Sequence, residues 1–254
     1  MDIKDKSFLV IGGAGFIGSH IVDRLLTEQA KKVIVYDNFS RGSLNNLKNA
    51  LKDSRVEIFS DGGDILHKDT LEKAMKGIDG VFHLAALWLL QCNEYPRSAF
   101  DVNVMGTMNV IESVLNCDVK RMVYSSSASV YGNTSVKKIP EDNILNCNEF
   151  YGASKVCSEM LIRGMFNKAQ KRKVKSTCVG LRYMNVYGPR QYKGKYTGVV
   201  AGMLNSLDAQ KAPIIHGDGS QAYDFVNVHD CARANILAMK ADSNCTFYNI
   251  GAGV

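Results

Sequence analysis

A doubly wound α/β fold, a parallel sheet covered by helices on both faces, is what this chain predicts. Three observations carry it. Short β-branched runs alternate with helix-length segments through the first 180 residues. Those runs are apolar at consecutive rather than alternate positions, as strands buried on both faces require. The first run also enters a glycine cluster that opens directly into a helical pattern, the turn that begins a mononucleotide-binding βαβ unit.

The elements follow in order. Residues 7–11 form the first strand, and 17–29 the first helix, with Ile17, Ile21, Val22, Leu25 and Leu26 on one face. Strands are expected at 32–36 and 56–59, a short helix at 70–76, and a buried strand at 80–84. Helical spacing covers 99–115, and 121–125 is another strand. These elements make a domain of residues 1–182. Beyond it, Gly188-Pro189 breaks the chain and a Gly/Lys/Tyr-rich loop covers 190–198. A helix at 199–207, turn signals at Gly217-Asp218-Gly219, a strand at 224–228, a helix at 230–240 and a strand at 246–250 follow. Residues 183–254 therefore read as a small substrate lobe interwoven with the sheet.

Composition removes several classes of function. Of 254 residues 46% are apolar, enough for a sizeable core, and 22% are charged, too balanced a mixture for global disorder. The net charge of +6 is modest. The one dense basic run, 171–175, suits a solvated helix end, so neither nucleic acid nor membrane is expected as a partner. Seven cysteines without a CxxC pair and five scattered histidines offer no metal-ligand spacing and suit reduced thiols in the cytoplasm. No apolar stretch is long enough for a signal peptide or a membrane span.

The strongest local signal is Gly12-Gly13-Ala14-Gly15-Phe16-Ile17-Gly18. A tight turn that lets a pyrophosphate approach bare backbone needs glycine. The helix start beyond it offers N–H groups and partial positive charge to the anion. The second strand ends at Asp37, 19 residues past Gly18. An acid there accepts hydrogen bonds from the adenosine ribose hydroxyls and repels a 2′-phosphate, which favours NAD. Arg41 leaves an opening for the phosphorylated cofactor.

Tyr151 and Lys155 stand one helical turn apart, behind a strand that ends in Ser125-Ser126-Ser127. Tyrosine is a poor base near its free pKa of about 10. A neighbouring ammonium favours the phenolate and brings it toward working range.

With these residues the chain resembles the extended short-chain dehydrogenase/reductase family, and within it the nucleotide-sugar epimerases and dehydratases. The resemblance runs from residue 7 to 254. Its landmarks are GGAGFIGSH (12–20), DNFSRG (37–42), DI (64–65), HLAA (83–86), NVMGT (103–107), SSSASVYG (125–132), YGASK (151–155), LRYMNVYGPRQ (181–191) and GDGSQAYDFVNVHD (217–230). It implies a Rossmann domain binding NAD. It makes Ser127, Tyr151 and Lys155 the catalytic set: Ser127 bonds the reacting sugar oxygen, Tyr151 shuttles its proton, and Lys155 holds the nicotinamide ribose. Gly12, Gly15, Phe16 and Ile17 match the pyrophosphate turn. Asp37, Asn38, Phe39, Ser40, Arg41 and Gly42 match the adenosine-ribose loop, and Asp64 and Ile65 flank the adenine. Leu84, Ala85, Ala86, Asn103 and Met184 match the nicotinamide side. Asn185 fits the contact to the nucleotide diphosphate, and Val199 the backbone contact to the base.

The two residues after the serine run bear on the reaction. Dehydratases of this family usually carry Asp-Glu there and uronate decarboxylases Ser-Glu, the glutamate working on the keto intermediate. Here Ala128 and Ser129 look like the small residues of 4-epimerases. The resemblance thus implies epimerisation of a UDP-hexose or UDP-N-acetylhexosamine at C4 through a 4-keto intermediate. The rival readings are a dehydratase, decarboxylase or keto-sugar reductase on the same scaffold, and an NAD-binding sensor without turnover. Family habit also implies a homodimer built through helices at about 98–115 and 151–166.

Departures from the family are few and local. Tyr223 stands where relatives usually have an arginine that pairs with the substrate diphosphate, a contact tyrosine cannot replace. Arg190, Lys193 or Lys195 are the candidate substitutes. Trp88, the single tryptophan, follows HLAA where smaller or polar residues are common, and could either wall the sugar pocket or belong to the core. Relatives also typically continue for several tens of residues past the equivalent of Val254, completing the substrate lobe.

Overall fold

The computed structural model describes residues 1–191, 198–215 and 217–253. Seven parallel strands form one sheet: β1 (Ser7–Ile11), β2 (Lys32–Tyr36), β3 (Val56–Ile58), β4 (Gly80–His83), β5 (Arg121–Ser127), β6 (Thr177–Tyr183) and, last in the chain, the strand Thr246–Ile250. The short strands β7 (Asn185–Tyr187) and β8 (Phe225–Asn227) pair in parallel beside it, so Thr246–Ile250 is β9. The order β3-β2-β1-β4-β5-β6-β9 makes the chain reverse direction between β1 and β4. That reversal opens a crevice at the strands' carboxyl ends, where ligands of such sheets bind.

Alternation along each strand explains the two helical layers. Phe8 and Val10 point to one face, where they meet Ile21, Val22 and Leu25 of α1 (Phe16–Thr27) and Ile236 and Met239 from the last helix. Leu9 and Ile11 point to the other. There they join Leu71 of the helix Lys68–Met75, Val110, Ile111 and Val114 of Thr107–Asn116, and Ile162 and Phe166 of Phe150–Lys171. With short helices at Leu44–Leu47, Leu89–Glu94 and Pro96–Ala99, these are α3, α6 and α7; α8 is Val199–Asp208 and α9 Val228–Lys240. α9 packs on α1 and β9 pairs with β6, so the last quarter of the chain returns to the main sheet.

Beyond short added elements at 44–47, 89–94, 96–99 and 185–187, two differences from expectation bear on the site. β6 was not anticipated, because Gly180 and Arg182 interrupt its apolar run. Both serve packing: a Cβ at Gly180 would lie 2.2 Å from the Phe247 ring of β9, and Arg182 is neutralised inside the protein. Helical spacing at 99–115 proves to be two elements, a π-helical stretch at Phe100–Gly106 followed by α6. The wide turn seats Gly106 against Ile65, whose Cδ1 would be 2.5 Å from an added Cβ, and turns Asn103 into the interior.

Candidate active site

Three glycines shape the turn at the mouth of the crevice. Gly12 has φ +80°, and a Cβ on it would meet the Ala85 amide at 2.9 Å. A Cβ on Gly18 would lie 2.1 Å from the Gly12 carbonyl, so α1 can approach β1 only as glycine. Gly15 is different: an added Cβ meets only the Gly12 carbonyl, at 3.2 Å, and its outer side is open. α1 begins there with no side-chain cap and no acid in its first turn, leaving Phe16 and Ile17 at an uncompensated positive helix end.

Asp37, at the tip of β2, is fixed against this turn. Its Oδ2 accepts from the Ala14 amide at 2.9 Å and Oδ1 from Phe39 at 2.8 Å, while burial pushes its carboxyl above the ordinary carboxylate range. A Cβ on Gly63 would lie 2.0 Å from the Asp37 carbonyl, which seats the β3 loop against Asp37. The two loops enclose a cleft of about 660 Å³ lined by Asp37, Asn38, Phe39, Ile58 and Asp64. Ser40 is exposed at its rim, and the side chain of Ile65 is buried in the core. A glycine turn at a bare helix start, an acid beside it and a cleft beyond fit an adenine dinucleotide.

On the other side of the crevice stand β5 and α7. Ser127 ends β5, and its Oγ accepts from the Ser129 amide and donates to Ser129 Oγ, both at 3.1 Å. Tyr151 and Lys155 project from the first turns of α7. Lys155 is 3% exposed, donates to the Ser125 carbonyl at 2.8 Å, and lies 5.7 Å from the Tyr151 ring centroid. Burial lowers its pKa to about 8. Burial raises that of Tyr151 to about 12, opposed by a hydrogen bond with Ser127, so without the cofactor the phenol is not brought toward neutral pH as the tyrosine–lysine spacing predicts. The three residues named from sequence therefore share one site.

Leu84, Ala85 and Ala86 leave β4 half-buried between these two sides. Asn103 reaches the site indirectly. Its side chain bonds both backbone groups of Leu87, at 2.7 and 3.1 Å, and Ser154 Oγ at 3.0 Å. It fixes the β4 loop to α7. Trp88 follows, with the Arg41 guanidinium 5.6 Å from its ring centroid.

The substrate-side residues are less gathered. Met184 is half-buried after β6, and a Cβ on Gly251 would meet its Cγ at 2.9 Å. Asn185, Val199 and Tyr223 are exposed; Asn185 donates to the Asp224 carbonyl at 3.3 Å, and Tyr223 packs edge-on to Phe225. Arg190 is not presented as a spare cation: its guanidinium pairs with Asp23 of α1 at 2.7 Å. Lys193 and Lys195 lie outside the described residues.

Sequence reasoning missed one group. Glu159, one turn beyond Lys155, forms a two-point ion pair with Arg182 of β6, at 3.0 and 2.7 Å. Ser126 Oγ donates to the same carboxylate at 2.6 Å, and Arg182 also donates to Tyr131 at 2.6 Å and the Glu141 carbonyl at 2.8 Å. Tyr131 in turn donates to Asn249 of β9 at 2.7 Å. A charged residue inside an apolar strand was the available signal: an arginine there has to be paired.

Comparison with known proteins agrees with this geometry. Residues 8–251 match the model of the NAD dependent epimerase/dehydratase family. A UDP-glucose 4-epimerase of Mycolicibacterium smegmatis is 34% identical over 97% of this chain and 77% of its own length. A UDP-N-acetylglucosamine 4-epimerase from Methanobrevibacter ruminantium, solved with UDP-N-acetylmuramic acid, superposes with a TM-score of 0.89 at 34% identity, covering 99% of this chain and 78% of that one. A dTDP-glucose 4,6-dehydratase from Streptomyces venezuelae with NAD bound gives 0.87 at 29% identity, covering 98% and 76%. The chain belongs to the NAD dependent epimerase/dehydratase family, the epimerase branch of the extended short-chain dehydrogenase/reductases.

Proposed function

We propose that the protein interconverts a UDP-hexose or UDP-N-acetylhexosamine with its C4 epimer through a transient 4-keto sugar. One observation carries the choice of reaction. The serine at the end of β5 is followed by Ala128 and Ser129, neither of which brings the carboxylate that a dehydratase or decarboxylase uses on the keto intermediate. The epimerases among the relatives support the nucleotide sugar.

NAD, when bound, supplies the reversible oxidant for the sugar carbon. Gly12, Gly15, Phe16 and Ile17 would hold its diphosphate, Asp37 to Gly42 its adenosine ribose, Asp64 and Ile65 its adenine, and Leu84 to Ala86 with Met184 its far ring. Tyr151 accepts the C4 hydroxyl proton at its phenolic oxygen while Ser127 bonds the same sugar oxygen. The Lys155 ammonium, held by the Ser125 carbonyl, stabilises the phenolate. The keto sugar turns over in the site, and the proton returns from Tyr151 to the opposite epimer. Asn103 acts by fixing the β4 loop. Asn185, Val199 and Tyr223 face the nucleotide end.

We further propose a homodimer, supported by the exposed apolar side chains Phe100, Met105, Phe150 and Met160 on the neighbouring π-helical segment and α7. Sedimentation showing only monomer at micromolar concentration would count against it. Seven free cysteines support a reducing compartment, the cytoplasm, and no helix among the described residues is long and apolar enough to cross a membrane.

Proton NMR of the protein with NAD and a panel of UDP-hexoses, UDP-N-acetylhexosamines and UDP-uronates tests the reaction. The expected result is new anomeric signals of one C4 epimer without net reduction of NAD. A 4-keto-6-deoxy product, a pentose product, stoichiometric cofactor consumption, or no change in any sugar would each overturn it.

A further inference from the structure

Of the three residues proposed for proton transfer, Ser127 alone stands at the end of a strand, so its place depends on what holds the chain before and after it. Both flanks lead to one buried ion pair. Ser126, the residue before it, donates from Oγ to Glu159 Oε1 at 2.6 Å. After it comes the 3-10 turn Ala128–Tyr131, and the phenolic oxygen of Tyr131 accepts from Arg182 at 2.6 Å. Glu159 and Arg182 close on each other at 3.0 and 2.7 Å. The chain from Ser126 to Tyr131 is thus tied at its two ends to the two halves of a single salt bridge, with Ser127 inside it.

The element that grips this segment is also the one Ser127 has to face. Glu159 lies on α7, one turn beyond Lys155 and two beyond Tyr151. A Cβ on Gly152 would lie 2.5 Å from the Ser129 carbonyl, so the turn that follows Ser127 rests on the first turn of α7. Farther out, Tyr131 donates to Asn249 of β9 at 2.7 Å, and Asn249 donates to the Ile139 carbonyl at 2.8 Å. Arg182 adds the Glu141 carbonyl at 2.8 Å. Stability alone does not call for a charged pair here, since apolar side chains of like volume commonly serve as well. Direction is what the pair adds: a two-point guanidinium–carboxylate contact fixes its partners in angle as well as distance.

We propose that Glu159 and Arg182 are positioning residues that hold Ser127 Oγ where it reaches both the Tyr151 phenol and the sugar oxygen. The inference rests on the epimerase reading above. Glu159 and Arg182 are 0% and 1% exposed, so they act through the chain between Ser126 and Tyr131 and not on the sugar itself. A hydrogen bond from Ser127 favours the ionised phenol, so a displaced Ser127 leaves Tyr151 harder to ionise.

Three variants test this. Ser126→Ala and Tyr131→Phe each remove one hydroxyl and leave the ion pair, whereas Glu159→Leu with Arg182→Met removes both grips. Two readouts are taken. The kcat and KM of C4 epimerisation are followed against pH. The Tyr151 phenol is titrated in the NAD-bound protein by carbon-13 NMR of labelled tyrosine, its signal assigned by its loss in Tyr151→Phe. Each single change should lower kcat about 2- to 10-fold, the worth of one hydrogen bond, with KM unchanged. The double exchange should lower kcat at least as far as the two singles multiplied, even where its urea midpoint is close to that of wild type. In all three the Tyr151 titration and the acid limb of kcat should move to higher pH. Wild-type kcat and titration in either single variant would overturn the proposal. So would a double exchange whose loss of kcat follows its urea midpoint while the titration stays in place. Should the double exchange fail to fold, the two singles decide. If wild type epimerises none of the UDP-sugars, the epimerase reading falls, and the Tyr151 titration still decides whether the pair places Ser127.

Discussion

Along the sheet that floors the crevice, side chains and backbone are held from several directions at once. Lys155 is inside the protein on a carbonyl, Asp37 carries two amides, and Arg182 and Glu159 neutralise each other where both are almost wholly excluded from water. At the lobe end the same chain leaves apolar groups uncovered. Leu207 of α8 is 57% exposed and Ile214 75%, and Val199, Leu204 and Tyr223 are likewise open. The difference teaches that the residues proposed for proton transfer are built into the sheet, whereas those proposed for the nucleotide stand on a thinly packed part of the chain. Substitutions should therefore divide cleanly, with losses of turnover or stability on one side and shifts in substrate affinity on the other.

The largest effect belongs to Tyr151→Phe. Removing the phenolic oxygen removes the proton acceptor and leaves the cofactor turn untouched. The expected fall in kcat is about 10³-fold or more, with NAD content of the purified protein unchanged. Activity within tenfold of wild type would break the assignment.

Next comes the buried ion pair. Glu159→Ala leaves Arg182 charged and unpaired in the interior, a change that typically costs about 3–5 kcal/mol. A urea midpoint should fall accordingly. Replacing both, as Glu159→Leu with Arg182→Met, should recover much of that loss, because two desolvation penalties disappear with the attraction. A double variant no better than the single would mean that Tyr131, Ser126 and the Glu141 carbonyl depend on the arginine itself.

How far the sequence revealed these two ends follows from the same contrast. β1, β2 and β9 are found at their expected bounds; for β1 and β2 the signal is a short β-branched apolar run, buried along almost its whole length and bounded by turn residues. Tyr151 and Lys155 could be named because a tyrosine–lysine helix turn is a local pattern, and Ser127 was singled out from three consecutive serines by the family resemblance. The Glu159–Arg182 pair was not legible: it joins residues 23 positions apart through the third dimension. Nor was β6, whose Gly180 makes sense only once Phe247 is seen above it. Arg190 offers a charge of the right sign, and its pairing with Asp23 on α1, through one nitrogen of the guanidinium, is announced by no spacing.

The pH response sharpens the contrast. Lys155 has its pKa lowered to about 8 from 10.5, so the unfolded chain binds its proton more tightly than the folded one. Its contribution to stability is complete above pH 10.5 and is lost as pH falls through about 8. Tyr151, raised to about 12 from 10, contributes in the opposite sense, losing stability only above pH 10. Between pH 8 and 10 the stability of wild type relative to Lys155→Met should therefore rise, by up to about 3 kcal/mol for the full shift. Distant thiols and tyrosines cancel in that difference. A flat difference would mean that the ammonium is solvated.

On the lobe side the expected changes are smaller and fall on binding. Tyr223→Arg restores a cation before Asp224 without entering the core. KM for the UDP-sugar should fall by about tenfold, the low end for a charge-assisted contact, while kcat and NAD release stay unchanged. An altered kcat would show that the lobe communicates with Tyr151.

The smallest effect is expected from Leu207→Gln, and it separates the two halves most directly. Leu207 lies on α8, where its side chain meets solvent, and glutamine is as good a helix former. Nothing apolar is withdrawn from a core, so the unfolding free energy should change by no more than about 0.5 kcal/mol. Leu25→Ala in α1, whose side chain is wholly buried between sheet and helices, should cost about 2–5 kcal/mol by loss of transfer energy and by the cavity left behind. Paired denaturant titrations give both numbers under one set of conditions. If Leu207→Gln costs as much as Leu25→Ala, its side chain is covered in solution, and the lobe is packed against something that replaces solvent over α8.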